Sequence, residues 1–429
     1  MRLPRPQIRS LCLVWLSFAP ILSCQSPPHL PEHQTESRAS LALVRSVLEE
    51  AVERGQVSGV VGLVARDGKV VFREAFGWKD IEDGSPMTED TIFRIASMTK
   101  PITGVAVMML HDQGRLHIDD PIARFIPEFQ DPDIAVPGPD GGRSFGRVAA
   151  QGEITIRHLL THTSGISYRF SGVEPLTSLY AEAGISDGLV QTEGTVGQGV
   201  RRLASLPLLH EPGSGWKYGL STDVLGHLVE VVSGRTLEEF FEESIFQPLG
   251  MKDTHFFLPE EKIPRLASVY RRAENGRLRE LPEGPIQEGP VLFSTSYHYR
   301  GPRTYFSGGA GLVSTADDYF RFCQMLLNGG ELEGVRLLRA ETVELMTRNQ
   351  VGELSVGEGK FGFGLSIPTD GSGALGWGGF FFTRFWLDPE QEIIGVFMSQ
   401  LWPNQRSPVD DAFRRAADEW IRTDPTRAE

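Results

Sequence analysis

Cysteine is scarce in this chain of 429 residues, where it occurs three times, at Cys12, Cys24 and Cys323. Two of the three lie close to the N-terminus, so no disulfide framework can hold the folded part together, and stability must come from an apolar core. Cys323 lies in the apolar helical pattern YFRFCQMLL, where cysteine usually packs as a small hydrophobic side chain. We expect Cys323 to be buried and structural.

Positive charge is also in short supply, with 42 Lys and Arg against 56 Asp and Glu and a formal net charge of -14. A nucleic-acid binder needs a basic face that neutralises phosphates, and no cluster of Lys and Arg is visible, so we predict no nucleic-acid partner. The histidines show no H-E-x-x-H spacing and no group of cysteines exists. We therefore predict neither a metal nor a cofactor.

The apolar stretch near the N-terminus, Leu11–Leu22, is only 12 residues long, which is too short to cross a bilayer. It follows three arginines and ends at Ser23-Cys24, an arrangement typical of a signal peptide whose cleavage site resembles a bacterial lipobox. We predict a signal peptide over residues 1–23, lipidation of Cys24 and export from a bacterial cell, as a membrane-anchored lipoprotein or otherwise as a periplasmic or secreted protein. The lipid on Cys24 is then the only membrane contact that we expect.

Segments rich in proline, glycine and polar residues divide the rest of the chain. Residues 24–37 are proline-rich and polar, which predicts a flexible tether in front of one folded domain over residues 38–425. Gly138–Gln151 and Ile185–Gly199 are rich in glycine and polar side chains, which predicts surface excursions from that domain.

Secondary-structure patterns differ between the ends and the middle of the domain. A helix is predicted over Ser40–Arg54, and two β-rich runs flank Asp67-Gly68, a strong hairpin signal. Two more β-rich runs flank Asp388-Pro389, and a last helix is predicted over Val409–Ile421. These patterns predict an α+β fold, in which N- and C-terminal strands form one antiparallel sheet flanked by helices, with an inserted, mostly helical subdomain.

The stretch RIASMTKPITG carries the first chemical signal, because Ser97 precedes Lys100 by three residues at the start of an apolar helix. Residues three apart share one helix face. An amine within reach of a hydroxyl can accept its proton, which makes the pair a candidate nucleophile and base. A bare S-x-x-K is common by chance, however, and does not establish a catalytic site.

The surrounding motifs give the pair a context: TEDTIFRIASMTKPITG, ITIRHLLTHTSGI, PGSGWKYGLSTDVLGHLVEVVSG, GGAGLVSTADDYFRF and LGWGGFFFTRFWLDP occur in this order. Together they resemble the serine β-lactamase and penicillin-binding-protein superfamily, and within it the class C β-lactamase-like branch that includes family VIII carboxylesterases. The resemblance covers Ser40 to Ile421 and implies a β-lactamase/transpeptidase-like fold. It also implies that Ser97 is the nucleophile, that Lys100 and Tyr218 move protons, and that the backbone N–H groups of Ser97 and Phe380 form an oxyanion hole.

The chain departs from β-lactamases of this type at two places. Their Lys-Thr-Gly motif is replaced by Trp377-Gly378-Gly379, and Gly219 and Leu220 stand where a Tyr-x-Asn motif would continue. The first change removes the cation that would bind a drug carboxylate, and the Trp-Gly-Gly variant resembles family VIII esterases. Both changes remove polar recognition, so we expect these residues to bind neutral acyl substrates.

Two other residues invite a catalytic interpretation that we weigh as weaker. Ser186 fits the G-x-S-x-G pattern of α/β-hydrolases, but a helical pattern and not a strand precedes it. His162 lies in a loop motif where a hydrogen-bonded structural histidine is the simpler interpretation.

The resulting hypothesis is an exported serine hydrolase that cleaves short-chain carboxylic esters through an acyl-enzyme on Ser97. The alternatives are a β-lactamase or D-amino-acid peptidase of the same fold, or a non-catalytic cell-wall-binding relative. In each enzymatic case the partner is a small-molecule ester or lactam, and the oligomeric state is left open by the sequence.

Overall fold

The computed structural model describes residues 32–139, 145–357, 359–369, 373–404 and 407–423. The predicted signal peptide and Cys24 lie outside these residues. The first helix begins at Glu32, which corrects the predicted tether at residues 32–37, since this part is helical. Residues 32–40 contain neither proline nor glycine, so the backbone chemistry does not prevent the helix from extending towards the N-terminus.

The described part of the chain alternates short strands with helices. The α-helices are α1 (Glu32–Glu53), α2 (Thr99–Asp112), α3 (Ile156–Leu160), α4 (Leu176–Glu182), α5 (Val196–Ala204), α6 (Ser221–Ser233), α7 (Leu237–Phe241), α8 (Gln247–Leu249), α9 (Ala316–Leu327), α10 (Ala340–Thr347) and α11 (Val409–Thr423). The strands are β1 (Gly59–Arg66), β2 (Lys69–Asp80), β3 (Ser85–Pro86), β4 (Phe93–Arg94), β5 (Asp133–Pro137), β6 (Phe145–Ala149), β7 (Tyr270–Arg272), β8 (Leu278–Glu280), β9 (Pro285–Glu288), β10 (Val291–Ser294), β11 (Val313–Ser314), β12 (Glu331–Leu332), β13 (Val335–Arg336), β14 (Gly359–Phe361), β15 (Ser366–Pro368), β16 (Leu375–Gly379), β17 (Thr383–Asp388) and β18 (Ile393–Met398).

One antiparallel sheet contains eight of these strands, in the order β14-β15-β16-β17-β18-β1-β2-β3. The N-terminal strand β1 pairs directly with the C-terminal strand β18, with Leu63 opposite Val396. The predicted turns at Asp67-Gly68 and Asp388-Pro389 join β1 to β2 and β17 to β18. The predicted α+β architecture is therefore confirmed: both ends of the chain build one sheet, and the region between β3 and β14 contains helices α2–α10 and short two-stranded ribbons.

Both faces of this sheet are covered, because alternate residues of a strand point to opposite sides. Val61 and Leu63 of β1 join the core that includes α2 and α9, whereas Val60 and Val64 join the core that includes α1 and α11. All eight residues of β1 are buried as a result. This explains why β1 reads as the nearly continuous apolar run GVVGLVA and shows no alternation with polar residues.

Helix α2 is the buried helix that the sequence predicts. Every residue from Thr99 to Leu110 is buried, as expected from a segment without a polar face. Pro101 is tolerated in the first turn because the N–H groups there lack helical partners. Gly114, with φ of 69°, takes the left-handed conformation that commonly ends a helix.

One predicted surface excursion is partly wrong. The first five residues of the segment Ile185–Gly199 are buried, with Ile185 at 4% and Leu189 at 3% exposure, and helix α5 begins at Val196. Ile185 and Leu189 pack into two different hydrophobic clusters. Because both ends of this short stretch are anchored, the polar residues between them are buried as well. Cys323 is fully buried in α9, as predicted.

No helix within the described ranges combines the length and the hydropathy that crossing a membrane requires.

Candidate active site

Ser97 and Lys100 meet at the N-terminal end of α2. Ser97 lies in a 3-10 turn, Ala96–Met98, that leads directly into the helix. The Nζ atom of Lys100 lies 3.1 Å from Ser97 Oγ, while the Lys100 side chain is only 1% exposed. The predicted pairing of hydroxyl and amine is therefore present, with the amine held away from bulk water.

The turn that carries Ser97 is conformationally strained. Ala96 has φ of 41°, a left-handed conformation that costs a residue with a side chain about 1–2 kcal/mol. Ala96 is fully buried, so the surrounding packing holds this conformation. Such strain is found where the backbone must aim a particular side chain, here Ser97.

Three further groups contact the Lys100 amine. Nζ donates a hydrogen bond of 2.7 Å to the carbonyl oxygen of Gly309. It also lies 4.6 Å from the ring centroid of Tyr218 and 5.5 Å from that of Tyr168, which is the geometry of a cation–π contact. No role was predicted for Gly309 from the sequence, although the motif GGAGLVS that contains it was one signal of the family.

Tyr218 lies in the loop before α6 and combines packing with access to the site. Its ring is nearly parallel to the ring of Trp216, with 6.2 Å between the two centroids, and its centroid lies 4.9 Å from that of the His162 ring. Its phenol oxygen accepts a hydrogen bond of 3.3 Å from Trp377 Nε1. Tyr218 is thus both a packed aromatic residue and a polar group of the site.

Strand β16 brings Trp377, Gly378 and Gly379 against the Ser97 turn. A Cβ atom on Gly379 would lie 2.4 Å from the carbonyl oxygen of Ile95, so glycine is needed here for the strand to approach the nucleophile. Gly378 is exposed, and a Cβ atom there would meet only Thr383 O, at 3.4 Å. It is therefore at Gly379, and not at Gly378, that the contact between β16 and the Ser97 turn requires glycine.

A cavity of about 340 Å³ opens in front of Ser97. It brings together the predicted nucleophile, Tyr218, all of Trp377-Gly378-Gly379 and both predicted oxyanion residues, Ser97 and Phe380. None of the described residues that line it carries a charged side chain. Four further lining residues, Phe170, Trp402, Pro403 and Asn404, were not predicted from the sequence, because only the tertiary fold brings them to the site.

His162 is buried beneath the Tyr218 ring and lies outside the residues that line the cavity. Burial, helped by the positive charge of Lys100, holds its pKa well below the usual range for histidine, so the ring is neutral at physiological pH. Its Nδ1 atom has no hydrogen-bond partner among the described residues. The ring is thus held by aromatic packing, with Trp216 and Phe361 as further neighbours, while the backbone carbonyl of His162 accepts a hydrogen bond of 2.8 Å from Lys217 N, as expected for a structural loop histidine.

Ser186 is also placed away from this cavity. Its side chain is 8% exposed, and its Oγ accepts hydrogen bonds from Gly188 N and from Thr192 Oγ1. Helix α4 precedes it, so the strand that a nucleophile elbow requires is missing at this place in the chain.

Within the described residues, one group of potential metal ligands brings three side chains together: Asp80, Glu82 and Glu280, whose oxygen atoms lie within 4.8 Å of one another. Ser268 donates to Asp80 and Tyr270 donates to Glu82. The group is not part of the Ser97 cavity, and exposed carboxylates of this kind require no ion.

Comparison with known proteins places this site in a family. A model of the Beta-lactamase family matches residues 44–419. The chain is 38% identical to Esterase EstB of Burkholderia gladioli over 372 residues, which cover 82% of this chain and 88% of EstB.

Two solved structures share the fold over nearly the whole domain. One is EstCE1, described as a hydrolase with promiscuous acyltransferase activity, at 31% identity and a TM-score of 0.77, covering 89% of this chain and 99% of EstCE1. The other is simvastatin synthase LovD of Aspergillus terreus, at 25% identity and a TM-score of 0.73, covering 88% of this chain and 97% of LovD. These matches confirm the resemblance inferred from the motifs, and the chain belongs to the β-lactamase family of serine hydrolases.

Proposed function

We propose that this serine hydrolase is an exported carboxylesterase that cleaves short-chain carboxylic esters through an acyl-enzyme on Ser97. The observation that carries the proposal is the cavity in front of Ser97. Ser97 and Tyr218 both line it, Lys100 Nζ lies 3.1 Å from Ser97 Oγ, and none of the described lining residues has a charged side chain. The similarity to Esterase EstB supports the same reaction class.

Acylation begins when Ser97 Oγ attacks the ester carbonyl carbon and its proton passes to the Lys100–Tyr218 pair. The carbonyl oxygen becomes negatively charged and accepts hydrogen bonds from the N–H groups of Ser97 and Phe380. Each such donor contributes roughly 3 kcal/mol to the stability of the transition state. The C–O bond then breaks, and the leaving alcohol takes the proton back from the pair.

Deacylation repeats these steps with water. The Lys100–Tyr218 pair removes a proton from the water as its oxygen attacks the acyl carbon, and the same proton returns to Ser97 Oγ when the acid is released. Because Lys100 Nζ lies between Ser97 Oγ and the Gly309 carbonyl, its position is maintained in both half-reactions.

The lining of the cavity favours small, neutral substrates. Its volume of about 340 Å³ lies near the lower end of the range for small-molecule sites. Trp377, Phe380 and Trp402 offer apolar surfaces for alkyl and aryl groups. A carboxylate such as that of a β-lactam drug would find no cation among the described lining residues, which argues against the lactamase and peptidase alternatives.

A second candidate reaction is transfer of the acyl group from Ser97 to an alcohol. The apolar walls formed by Phe170 and Trp402 favour binding of an organic acceptor over water. Relatives support this alternative. Simvastatin synthase shares the fold, and two curated acyltransferases are 28% and 31% identical to the parts of this chain that they match. The non-catalytic alternative is disfavoured because a binding protein would not need Ser97, Lys100 and Tyr218 together.

The proposal includes export through the signal peptide and anchoring through a lipid on Cys24. It is supported by the sequence pattern alone: three arginines, a short apolar run and a small residue before the cysteine. The expected location is the bacterial membrane surface, with the catalytic domain in the periplasm or outside the cell.

A panel of substrates tests the proposal directly. The mature protein is assayed on short- and long-chain p-nitrophenyl esters, a cephalosporin and a D-Ala-D-Ala peptide, with and without an added alcohol. We expect the highest kcat/KM on a short-chain ester. A higher value on the cephalosporin or the peptide would overturn the proposal, and an ester product that forms only with added alcohol would favour acyl transfer.

A further inference from the structure

Asp223 is a buried carboxylate close to Lys100 that takes no part in the proton transfers described above. It lies in the first turn of α6, five residues after Tyr218, and is 2% exposed. Its Oδ1 accepts a hydrogen bond of 2.6 Å from Ser307 Oγ, and its Oδ2 lies against Gly309. Burying a carboxylate lowers stability unless its interactions offset the lost hydration, so a carboxylate kept beside Lys100 points to a functional role.

Ser307 connects Asp223 to the turn that holds Lys100. Besides donating to Asp223, Ser307 Oγ accepts a hydrogen bond of 3.0 Å from Ala310 N. The side chain therefore closes the turn over residues 307–310 and ties it to α6.

The other side of this turn faces α2 with two successive carbonyl groups. Gly308 O accepts a hydrogen bond of 2.7 Å from Thr103 Oγ1, and Gly309 O accepts one of 2.7 Å from Lys100 Nζ. Thr103 follows Lys100 by three residues on the same helix face. The turn is thus fixed to α6 through Asp223 and presents its carbonyl groups to α2.

The two glycines allow this close contact. A Cβ atom on Gly309 would lie 2.5 Å from Asp223 Oδ2, and one on Gly308 would lie 2.7 Å from the carbonyl oxygen of Thr222. Larger residues would push the turn away from α6 and move the Gly309 carbonyl relative to Lys100.

We propose that Asp223 is a positioning residue for Lys100. Through Ser307 it holds the Gly309 carbonyl against Nζ, and its negative charge stabilises the positive charge of Lys100 while Nζ holds the proton of Ser97. The proposal rests on the proposed function, because it takes Lys100 to be the proton acceptor in acyl transfer. Asp223 is not among the residues that line the cavity, so it acts through Lys100 and makes no contact with the substrate.

The charge state of Asp223 makes its role pH-dependent. Burial raises its pKa to about 6, while the Ser307 hydrogen bond and the charge of Lys100 act in the opposite direction. The other titratable groups that interact with it are Asp187, Tyr168, Tyr297 and Tyr305. The carboxylate is ionised above about pH 6, so the charge offset is present there and is lost as the pH falls.

Two variants distinguish the effect of the Asp223–Ser307 hydrogen bond from the effect of the negative charge on Asp223. Asp223→Asn keeps an oxygen for the Ser307 hydrogen bond but removes the charge, and Ser307→Ala keeps the charge but removes the link to the turn. The matched control is Asp318→Asn: Asp318 also lies in the first turn of a helix and accepts a hydrogen bond of 2.8 Å from a hydroxyl group, that of Thr254. Burial likewise raises its pKa to about 6, yet it does not bond to the turn that holds Lys100.

Three measurements are made on each variant of the mature protein: kcat and KM for p-nitrophenyl acetate between pH 5 and pH 9, the rate at which a fluorophosphonate labels Ser97, and the melting temperature. We expect Asp223→Asn and Ser307→Ala to lower kcat by about ten-fold or more with KM within about two-fold, and to slow labelling in parallel. The parent should lose kcat as the pH falls through about 6, and Asp223→Asn should lack this step. Asp318→Asn should match the parent in kcat and labelling.

The proposal is overturned if Asp223→Asn and Ser307→Ala keep kcat within about two-fold of the parent, or if Asp318→Asn loses as much. If Asp223→Asn fails to fold, Ser307→Ala decides the outcome alone. If the parent is labelled at Ser97 but hydrolyses no ester, the proposed function is wrong, and the labelling rates still decide the role of Asp223.

Discussion

The indole Nε1 of Trp377 donates a hydrogen bond to the phenol oxygen of Tyr218, with 3.3 Å between the two atoms. The two residues are 159 positions apart in the sequence, and their ring centroids lie 5.4 Å apart. Trp377, which we expect to stand in place of the lysine of β-lactamases, therefore also orients the tyrosine that we expect to move protons. A change at Trp377 should alter both the choice of substrate and the rate.

Trp377→Lys should raise the ratio of kcat/KM on a cephalosporin to kcat/KM on a short-chain ester. A charge-assisted hydrogen bond to the drug carboxylate contributes roughly 1.5–3 kcal/mol, whereas the ester loses its apolar contact. Trp377→Phe is the control, since it loses only the hydrogen bond to Tyr218 and should lower both values by a similar factor, about three- to ten-fold. If the ratio stays the same in Trp377→Lys, Trp377 does not occupy the recognition position.

Ser97→Ala should abolish ester hydrolysis and leave the melting temperature close to that of the parent, because it removes only the attacking oxygen. Intact-protein mass spectrometry after reaction with a fluorophosphonate should show one adduct, on Ser97. Ser186→Ala is the control and should keep both the adduct and the activity, since Ser186 lies outside the cavity. An adduct on Ser186 would refute the assignment of the nucleophile.

Lys100→Met and Tyr218→Phe should each lower kcat by several orders of magnitude, and the double variant should lose little more. Residues that act as one unit lose rate non-additively, and Lys100 Nζ lies over the Tyr218 ring at 4.6 Å. The measurement is kcat for the parent, the two single variants and the double variant, with circular dichroism to confirm folding. Independent losses that multiply would mean that the two residues serve different steps.

Asp187→Asn should stabilise the protein more at pH 8.5 than at pH 5. Burial raises the pKa of Asp187 to about 7, so the folded state resists ionisation and stability is lost as the pH rises from the unfolded-state pKa through about 7. Asparagine still accepts the hydrogen bond from Arg169 N and removes this cost, which is on the order of 2 kcal/mol between the two pH values.

The measurement for Asp187→Asn is the melting temperature of the variant minus that of the parent at each pH. Glu333→Gln is the control: the Arg321 hydrogen bond holds the pKa of Glu333 below its usual value, so its effect should be equal at the two pH values. A difference for Asp187→Asn that does not grow with pH would contradict the raised pKa.

Cys24→Ser should abolish incorporation of radiolabelled palmitate into the full-length protein expressed in a Gram-negative host. The parent should fractionate with membranes, because the diacylglyceryl and N-acyl chains together anchor a protein firmly whereas one chain holds it only marginally. Cys323→Ser is the control and should keep the label, since Cys323 is buried in α9. If the parent protein is soluble and its mature N-terminus is not Cys24, the lipidation prediction is wrong and the N-terminal segment is an ordinary signal peptide.

Several features of this protein were determined by local sequence. The pairing of Ser97 with Lys100 follows from helix geometry, because residues three apart lie on one face whatever the rest of the chain does. The Asp67-Gly68 turn and the buried helix α2 follow from the same kind of short-range chemistry, positive φ at a hairpin turn and a segment without a polar face. The β-rich runs at both ends of the chain were enough to predict the single sheet, and the order of the motifs was enough to predict the family.

The remaining features were decided by the tertiary structure, since they join parts of the chain that no local rule relates. The hydrogen bond from Trp377 to Tyr218, the Gly309 carbonyl on Lys100 and the aromatic wall at Trp402 all depend on how loops pack against a finished core. The same packing buries Ile185–Leu189, which the polar composition of the segment had indicated would be exposed. Local geometry depends on a few neighbouring dihedral angles, whereas these long-range contacts depend on the packing energy of the whole domain.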